Sequence, residues 1–488
     1  MTNTPNPESH HAGRTPSLIQ ALLPIALLIV MLATSVWLFG DNSSYGPNQI
    51  ALLIAAATAA MVGAFNGQSW AHLQEGIVNG ISVALGAILI ILTVGALVGT
   101  WLLAGIVPTM IYFGLELLSP SWFYAASCLI CAIVAVSIGS SWTTAATIGV
   151  ALMGIAAGLE LSLPMAAGAV VSGAYFGDKM SPLSDTTNLA PAVSGSDLFA
   201  HIRYMTWVSV PALIIALIAY AALGLSADVT STGETLVVMQ RDLDALFNIS
   251  VWMLIPLGYL FVLAALGKPA LPSIFSAALL GAVWALIFQP ERVAAMAGEG
   301  GGSLASLQAV WLALSDGTQV ASDNAALADL LSGGGMSSML NTVWLVICAM
   351  TFGGVMEQTG LLRRVLEALL GLIKTTASLI TTTILTAFST NVLTADQYIS
   401  LVLPGRMFKA EYAARGLDPR VLSRSLENGG TITSVLIPWN TCAVFMFGVL
   451  GVSPIEYAPY AFFALLVPVI GIAYAYFDFK ILRLADAP

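Results

Sequence analysis

Charged residues are scarce in this chain. Only 9% of its 488 residues are charged and 58% are hydrophobic, whereas a typical soluble protein has about 25% charged residues. Between Arg14 and Lys179 the sequence contains no Lys or Arg at all. This composition excludes an ordinary soluble domain, and the lack of a basic patch excludes nucleic acid as a partner. The sequence therefore predicts a polytopic membrane protein whose main partner is the lipid bilayer.

Cysteines and nucleotide-binding motifs are also rare. The four cysteines, at 128, 131, 348 and 442, lie in apolar segments. Cys128 and Cys131 have the spacing of a metal motif, but a zinc site needs further ligands nearby, so we interpret both as packing residues. The sequence has no phosphate-binding loop of the Gly-rich, Lys-containing type. We therefore predict no cofactor, no enzyme activity, and energy coupling through ion gradients.

Apolar runs and basic residues together predict the topology. We identify ten spans, since about 20 residues cross the hydrocarbon core. Lys and Arg concentrate in cytoplasmic loops, so Arg14, the basic stretch 363–424 and Lys480 predict that both termini are cytoplasmic. The predicted parts are a disordered tail (1–17), a first membrane repeat (18–225), an external loop (226–248), a second repeat (249–479, with an external Gly/Ser-rich loop at 290–337) and a C-terminal tail (480–488).

Four polar interruptions break the apolar runs. Two of them, at 139–144 and 389–396, divide segments whose arms are short; the arms of 375–405 have about fourteen residues each, less than the ~20 needed to cross. We therefore predict two re-entrant hairpins with polar tips buried in protein or lining water. The other interruptions, at 177–188 and around Asn440, predict broken helices, because Gly177 and Pro182 disfavour a continuous helix.

The same order of elements occurs in both halves of the chain. Each half reads as three spans, a short surface helix, a hairpin, a broken span and a final span. Because five crossings is an odd number, the second copy must be inverted. The predicted fold is an all-α polytopic membrane protein with two inverted-topology repeats, each of five transmembrane helices plus a re-entrant hairpin, with broken helices at the midplane. This is a plan that secondary transporters use.

The polar interruptions supply oxygen atoms, which hard cations such as Na+ prefer as ligands. A buried carboxylate can hold either Na+ or a proton, so loading one ion expels the other. We predict a Na+ site at Asp185, Ser141 and Asn391. The predicted coupling carboxylates are Asp178, Asp185, Asp396 and Glu427. The predicted ion- or substrate-binding residues are Ser140, Ser141, Thr143, Thr144, Lys179, Ser181, Thr186, Asn188, Asn391, Thr394, Asn440 and Thr441.

Structural roles remain open for several of these residues. Lys179 could form an ion pair with Asp178, Asp185 or Asp396. Asp396 could cap the second hairpin arm, since Asp favours helix N-termini. Glu427 could form a surface salt bridge with Arg424. The tip hydroxyls could satisfy backbone groups only, as they do in membrane helices.

The stretch GDKMSPLSDTTNLA at 177–190 resembles the signature of the NhaC-type Na+/H+ antiporters, and residues 139–154 and 438–441 are similar to other features of that family. The resemblance implies exchange of cytoplasmic Na+ for external H+ across the bacterial inner membrane. It also implies a homodimer with scaffold and transport domains and an elevator-like movement. The tip at 389–391 is a reordered form of the Ser-Asn-Thr found in the wider superfamily, and the tip at 139–141 lacks the Asn.

Two other functions have some support in the sequence. The same family includes sodium-coupled exchangers of lactate and malate, so a small organic anion or an amino acid is the alternative substrate, with exchange or symport as the mode. Lys179 would then bind the substrate. A membrane aspartyl protease would use the Gly177-Asp178 pair, but Tyr175 occupies the position of its first Gly and the sequence has no paired Tyr-Asp motif.

Overall fold

The computed structural model describes residues 14–226, 233–297, 303–320, 327–328, 331–371 and 373–484. Within these residues the regular secondary structure is helical, apart from two isolated bridges that join Thr318 to Gly333 and Leu417 to Arg483. The predicted all-α class is therefore confirmed. Residues 1–13 and 485–488 of the predicted tails lie outside the described residues.

The first half of the chain forms ten helices. They are α1 Leu18–Phe39, α2 Pro47–Phe65, α3 Trp70–Val83, α4 Leu85–Leu103, α5 Ile106–Leu117, α6 Phe123–Ile138, α7 Ser141–Gly158, α8 Leu163–Met180, α9 Asp185–Ser194 and α10 Leu198–Leu225. Helix α7 contains one π-helical turn at Ala145–Gly149. The predicted break near 177–188 is present as the non-helical residues 181–184 between α8 and α9.

The second half begins with helices in the segments predicted as external loops. Helix α11 lies in 226–248, and α14 and α15 lie in 290–337. The helices are α11 Gly233–Leu246, α12 Ile255–Ala265, α13 Ala270–Phe288, α14 Pro290–Ala297, α15 Ser303–Ser315, α16 Leu340–Gln358, α17 Leu361–Leu370, α18 Thr376–Thr394, α19 Gln397–Ala414, α20 Pro419–Gly429, α21 Thr431–Ser434, α22 Thr441–Leu450, α23 Pro454–Tyr457 and α24 Phe462–Tyr476. A second break, at 435–440, separates α21 from α22.

Many of these helices are long and apolar enough to cross a membrane. In the described part of the chain nine helices qualify by length and composition, or up to eleven if two bent pairs each form one span. Three of the nine, Pro120–Ile138, Ser141–Gly158 and Thr376–Thr394, are arms of the predicted hairpins and were not among the ten predicted spans. The protein is therefore a multi-pass membrane protein with interrupted helices.

The arms of the second hairpin are longer than predicted. Helices α18 and α19 have 19 and 18 residues, whereas about fourteen each were expected against the ~20 that cross a bilayer. Helix α18 runs through most of the polar stretch 389–396 and ends at Thr394, within it. Thr390 and Thr394 each donate a hydrogen bond of 2.8 Å to the carbonyl four residues earlier, so these hydroxyls are satisfied inside their own helix. Arm length alone therefore does not require a re-entrant hairpin.

Most helix packing falls within two groups. The first helix group contains α1–α5 and α11–α17, and the second helix group contains α6–α10 and α18–α24. In the first group α4 packs against α13, and α16 packs against α2 and α3. In the second group α6 packs against α8, and α20 packs against α9, α18 and α19. All four polar interruptions therefore belong to the second helix group.

Candidate functional site

A cavity of about 280 Å³ lies between the two helix groups, and we call it the central cavity. Residues 83–90 of the α3–α4 region and Ala270 of α13 line it from the first group. The second group contributes residues from both tips and both breaks. The polar lining residues are Ser140, Ser141, Thr143, Asp178, Asp185, Asp396, Gln397, Tyr398 and Thr441, with Trp142 beside them.

Asp178 joins the first break to the first tip. The Ser141 amide and hydroxyl donate hydrogen bonds of 3.1 and 2.6 Å to Asp178 Oδ2. Ser140 caps α7 by accepting a bond from the Thr143 amide, so the carboxylate lies at a helix N-terminus, which favours negative charge. Asp178 is 6% exposed, and its Oδ1 atom is buried without a hydrogen-bond partner. Ser141 therefore positions one oxygen of this carboxylate, and the second, buried oxygen retains unused acceptor capacity.

Asp185 begins α9 and has an exposed side chain at the cavity. Its Oδ1 accepts a bond of 2.8 Å from the Thr186 amide. Its Oδ2 accepts a bond of 2.5 Å from the hydroxyl of Tyr398, in the first turn of α19. Tyr398 and Gln397 were not predicted as site residues. Their position directly after Asp396 at the tip is the sequence signal that could have identified them.

Asp396 both caps a helix and lines the cavity. Its Oδ1 accepts a bond of 2.9 Å from the Ile399 amide at the start of α19, and its side chain is nearly buried. The alternative capping role is therefore present in the structure. A cavity role is compatible with it, because a carboxylate has two oxygens that accept hydrogen bonds or ions.

Asn391 and Asn440 fasten the second tip to the second break. The Asn440 side-chain amide donates to Asn391 Oδ1 at 3.1 Å, and the Asn391 amide donates to the Gly430 carbonyl at 2.5 Å. The Thr441 amide donates to the Ala395 carbonyl at 2.9 Å. Both Asn side chains are fully buried and neither lines the central cavity. Of the predicted Na+ ligands, Asp185 and Ser141 therefore line the cavity together, and Asn391 lies behind it.

Five other predicted residues bond the protein at tips and breaks and do not line the central cavity. Their hydrogen bonds go to nearby backbone groups or to a neighbouring hydroxyl, which is the structural alternative given above for the tip hydroxyls. At the tips, Thr144 donates to the Ser140 carbonyl and Thr394 donates to the Thr390 carbonyl. At the first break, Ser181 accepts from the Leu183 amide, and Thr186 bonds the Ser184 hydroxyl. Asn188 donates to the carbonyls of Pro182 and Ser184.

Neither of the ion-pair alternatives left open for Lys179 and Glu427 is present in the described part of the chain. Lys179 Nζ donates to Asn428 Oδ1 at 2.6 Å, and in the described part of the chain it forms no ion pair with a carboxylate. Glu427 does not lie at the surface or pair with Arg424, because α20 is buried along 421–429 against its neighbours. Glu427 is fully buried, and neither carboxylate oxygen has a hydrogen-bond partner.

A second cavity of about 300 Å³ adjoins the first. It shares Ser140, Thr143 and Asp185 with the central cavity and extends to Gly267 and Lys268 between α12 and α13. Asp185 therefore lies where the two cavities meet. The second cavity is therefore a candidate route between Asp185 and the turn that joins α12 to α13.

The chemistry of the central cavity suits a hard cation or a proton. Carboxylate and hydroxyl oxygens line it, and these are the ligands that Na+ prefers. Its lining within the described residues includes no Lys, Arg or His. Among those residues no three acidic, His or Cys side chains come close enough to share one metal ion. A bound Na+ would therefore combine one or two carboxylates with hydroxyl and carbonyl oxygens.

Comparison with known proteins identifies the family. The sequence profile of the Na+/H+ antiporter family matches residues 173–479. The chain is 37% identical over 464 residues to the malate-2H(+)/Na(+)-lactate antiporter of Bacillus subtilis, covering 95% of each chain. It is 35% identical to the Na(+)/H(+) antiporter NhaC of Alkalihalophilus pseudofirmus, covering 93% of this chain and 94% of the relative. It is 37% identical to the arginine/ornithine antiporter ArcD of Halobacterium salinarum, covering 97% and 94%. The chain belongs to the Na+/H+ antiporter family, as its 177–190 signature predicted.

Proposed function

We propose that the protein is a secondary active transporter that exchanges cytoplasmic Na+ for external H+ across the bacterial inner membrane. The observation that carries this proposal is the central cavity, which collects Asp178, Asp185 and Asp396 with tip hydroxyls between two helix groups. Membership of a transporter family supports antiport in place of enzyme activity. The transported ions are Na+ and H+, and no cofactor takes part.

Competition for carboxylate oxygens provides the coupling. Na+ needs an ionised carboxylate, and a proton on that carboxylate removes the charge that attracts Na+. We assign ion binding to Asp185, which faces the cavity, and to Asp178 with Ser141. Asn391 holds the second tip in place from behind. One site therefore carries Na+ outward and H+ inward, provided that it opens to the two sides in turn.

An inverted repeat supports this alternating access. The second arm of each hairpin meets the second part of the broken helix from the other half: the Trp142 ring of α7 stacks on Phe445 of α22 at 4.2 Å, and Tyr398 of α19 bonds Asp185 of α9. We propose that 18–225 and 249–479 are inverted repeats with re-entrant hairpins and cytoplasmic termini. In an elevator-like movement the second helix group, which contains the hairpins, slides against the first.

The oligomeric state is a separate proposal. We propose a homodimer in which the first helix group of each copy forms the contact and stays fixed. This arrangement leaves the second group free to move. Mass photometry of the purified protein, compared with a tag-exchange pull-down from mixed membranes, tests it.

A second candidate is a cationic amino acid. Three carboxylates and no basic residue line the central cavity in the described chain, which favours a positively charged substrate over an organic anion. Lys179 bonds Asn428 and does not line the cavity, so it offers no ligand for lactate or malate there. Since one relative is named as an arginine/ornithine antiporter, arginine and ornithine belong in the substrate panel.

The test is transport in proteoliposomes that contain a pH-sensitive dye. Na+, Li+, K+, arginine, ornithine, malate and lactate are supplied one at a time. We expect Na+ to drive proton movement, and we expect Asp185→Asn to abolish it because the neutral side chain cannot exchange a proton for Na+. Asp316→Asn, in the 290–337 segment, is the matched control.

The outcomes separate the candidates. Normal Na+-driven exchange by Asp185→Asn removes this residue from the mechanism. Proton movement with arginine or ornithine and none with Na+ favours the second candidate.

A further inference from the structure

A group of polar side chains lies buried outside the central cavity, and we call it the α20 cluster. It contains Glu427, Asn428 and Arg424 of α20, Lys179 of α8 and His201 of α10. Each is at most 1% exposed, and none lines the central cavity. Buried ionisable groups in membrane helices are unfavourable and commonly mark an ion or proton route.

Several atoms of this cluster have no hydrogen-bond partner. They are both carboxylate oxygens of Glu427, Nη1 of Arg424 and Nε2 of His201. In a structural ion pair the Lys179 ammonium would bond the Glu427 carboxylate, but it donates a hydrogen bond to Asn428 instead. The Glu427 carboxylate is thus left free to bind a proton, with a positive charge close by.

Polar residues continue from Glu427 towards the start of α20. At helical spacing the same face carries Arg424 and Ser423, then Arg420. Ser423 bonds His201 Nδ1 at 2.7 Å. At the first turn Arg420 donates two bonds of 2.8 Å to Asp418, and these hydrogen bonds hold the pKa of Asp418 below its ordinary value. The face of α20 therefore connects a partly exposed ion pair with the buried carboxylate.

The charges around Glu427 are mixed. The Lys179 ammonium favours an ionised carboxylate at Glu427, and Asp178 and Asp185 disfavour it. His201 faces Lys179 from α10. If Glu427 loses its proton, the positive charge of the Lys179 ammonium stabilises the resulting carboxylate. Both the protonated and the ionised form of Glu427 are therefore compatible with the surrounding charges.

We propose that Glu427 is a second proton-exchanging carboxylate, separate from the central cavity, and that the polar face of α20 is its route to one side of the membrane. This inference rests on the proposed Na+/H+ exchange. The neutral acid releases its proton to water at that side of the membrane, and the carboxylate takes up another at the opposite side. More than one proton then accompanies each Na+, so each cycle moves net charge.

The experiment measures that net charge. Purified full-length protein is reconstituted in vesicles with a Na+ gradient, and K+ with valinomycin sets the membrane potential. Wild-type exchange should accelerate several-fold when the potential favours proton entry. Glu427→Gln should retain Na+-driven proton movement and lose its dependence on potential. Glu116→Gln, an exposed residue of α5, should behave like the wild type.

The results distinguish this inference from the proposed function. Na+/H+ exchange that is insensitive to potential in the wild type, or still sensitive in Glu427→Gln, overturns the inference alone. An absence of Na+/H+ exchange in the wild type overturns the proposed function itself.

A second measurement covers the case in which Glu427→Gln is inactive or misfolded. Infrared difference spectra of the wild type should show a carboxylic acid band that disappears at alkaline pH and shifts in Glu427→Asp. A spectrum whose acid bands are the same in Glu427→Asp as in the wild type overturns the inference.

Discussion

At the scale of single residues, the hydrogen bond between Tyr398 and Asp185 connects the two halves of the candidate site. It joins the second hairpin to the first break with a distance of 2.5 Å. A bond to a charged group contributes about 1.5–3 kcal/mol. The Thr186 amide of the same helix also bonds this carboxylate, so Tyr398 supplies the contact that positions Asp185 from the other half of the chain.

Tyr398→Phe should therefore weaken Na+ binding while the protein stays folded. We expect the Na+ concentration for half-maximal exchange to rise about tenfold, because the carboxylate loses a donor that positions it. Tyr476→Phe, an exposed tyrosine of α24, serves as the matched control. An unchanged half-saturation in Tyr398→Phe contradicts a positioning role for the phenol.

The residues of the site were only partly predictable from the sequence. The abundance of oxygen in the tips and breaks is visible in the sequence, and Asp178, Asp185 and Asp396 do line one cavity. The sequence does not show whether a given oxygen faces the cavity or packs behind it, because this depends on contacts between segments far apart in the chain. For this reason Asn391 and Asn440 were predicted at the ion site, whereas they bond each other behind it.

At the scale of helices, Thr187 closes the first break. Its hydroxyl donates to the carbonyls of Asp178 and Lys179 at 3.0 and 3.2 Å. Both carbonyls lie in the last turn of α8, where carbonyls lose their usual partners four residues later, and the Asp178 carbonyl also accepts a bond of 3.2 Å from the Ser181 amide. Thr187 in α9 therefore connects the start of α9 to the end of α8 across the non-helical residues 181–184.

Thr187→Val should loosen this junction, because valine keeps the shape and removes the donor. We expect a loss of about 1–2 kcal/mol in stability, since a buried acceptor loses its partner, together with slower Na+/H+ exchange. Thermal unfolding in detergent and vesicle transport measure the two effects. Thr206→Val removes an exposed hydroxyl bond in α10 and should change neither. Equal effects of both substitutions contradict a specific role for Thr187.

Helix breaks were more predictable than helix lengths. Pro182 lies in the first break and disfavours a continuous helix, whereas Gly177, the other expected helix breaker, lies inside α8. The arm length predicted at the second tip was too short: α18 extends to Thr394, and the hydroxyls of Thr390 and Thr394 bond carbonyls of that helix. Whether a polar residue ends a membrane helix depends on which carbonyl it finds, and sequence alone does not specify this.

At the scale of the whole molecule, the central cavity lies on the boundary between the two helix groups. One wall comes from α3, α4 and α13, and the opposite wall comes from the tips and breaks. If the second group slides against the first, the carboxylates move with it while the wall of the first group stays in place. The boundary is therefore the surface where an elevator-like movement must occur.

A disulfide across this boundary should stop transport. A Cβ atom at Gly448 of α22 would lie 2.8 Å from Thr342 Oγ1 of α16, close to the geometry that a disulfide needs. The four native cysteines are free and buried, so the test uses a background in which each is alanine. We expect oxidised Thr342→Cys/Gly448→Cys to lose Na+-driven proton movement and a reductant to restore it.

The matched control places a disulfide inside the first helix group. At Gly63 of α2 a Cβ atom would lie 2.6 Å from Thr359 Cγ2, at the end of α16. Because both positions belong to the group that stays fixed, oxidised Gly63→Cys/Thr359→Cys should transport at the reduced rate. Undiminished transport by the oxidised Thr342→Cys/Gly448→Cys protein would mean that α22 and α16 keep their contact through the cycle. Alternating access would then have to arise from smaller movements of the tips against a static cavity wall.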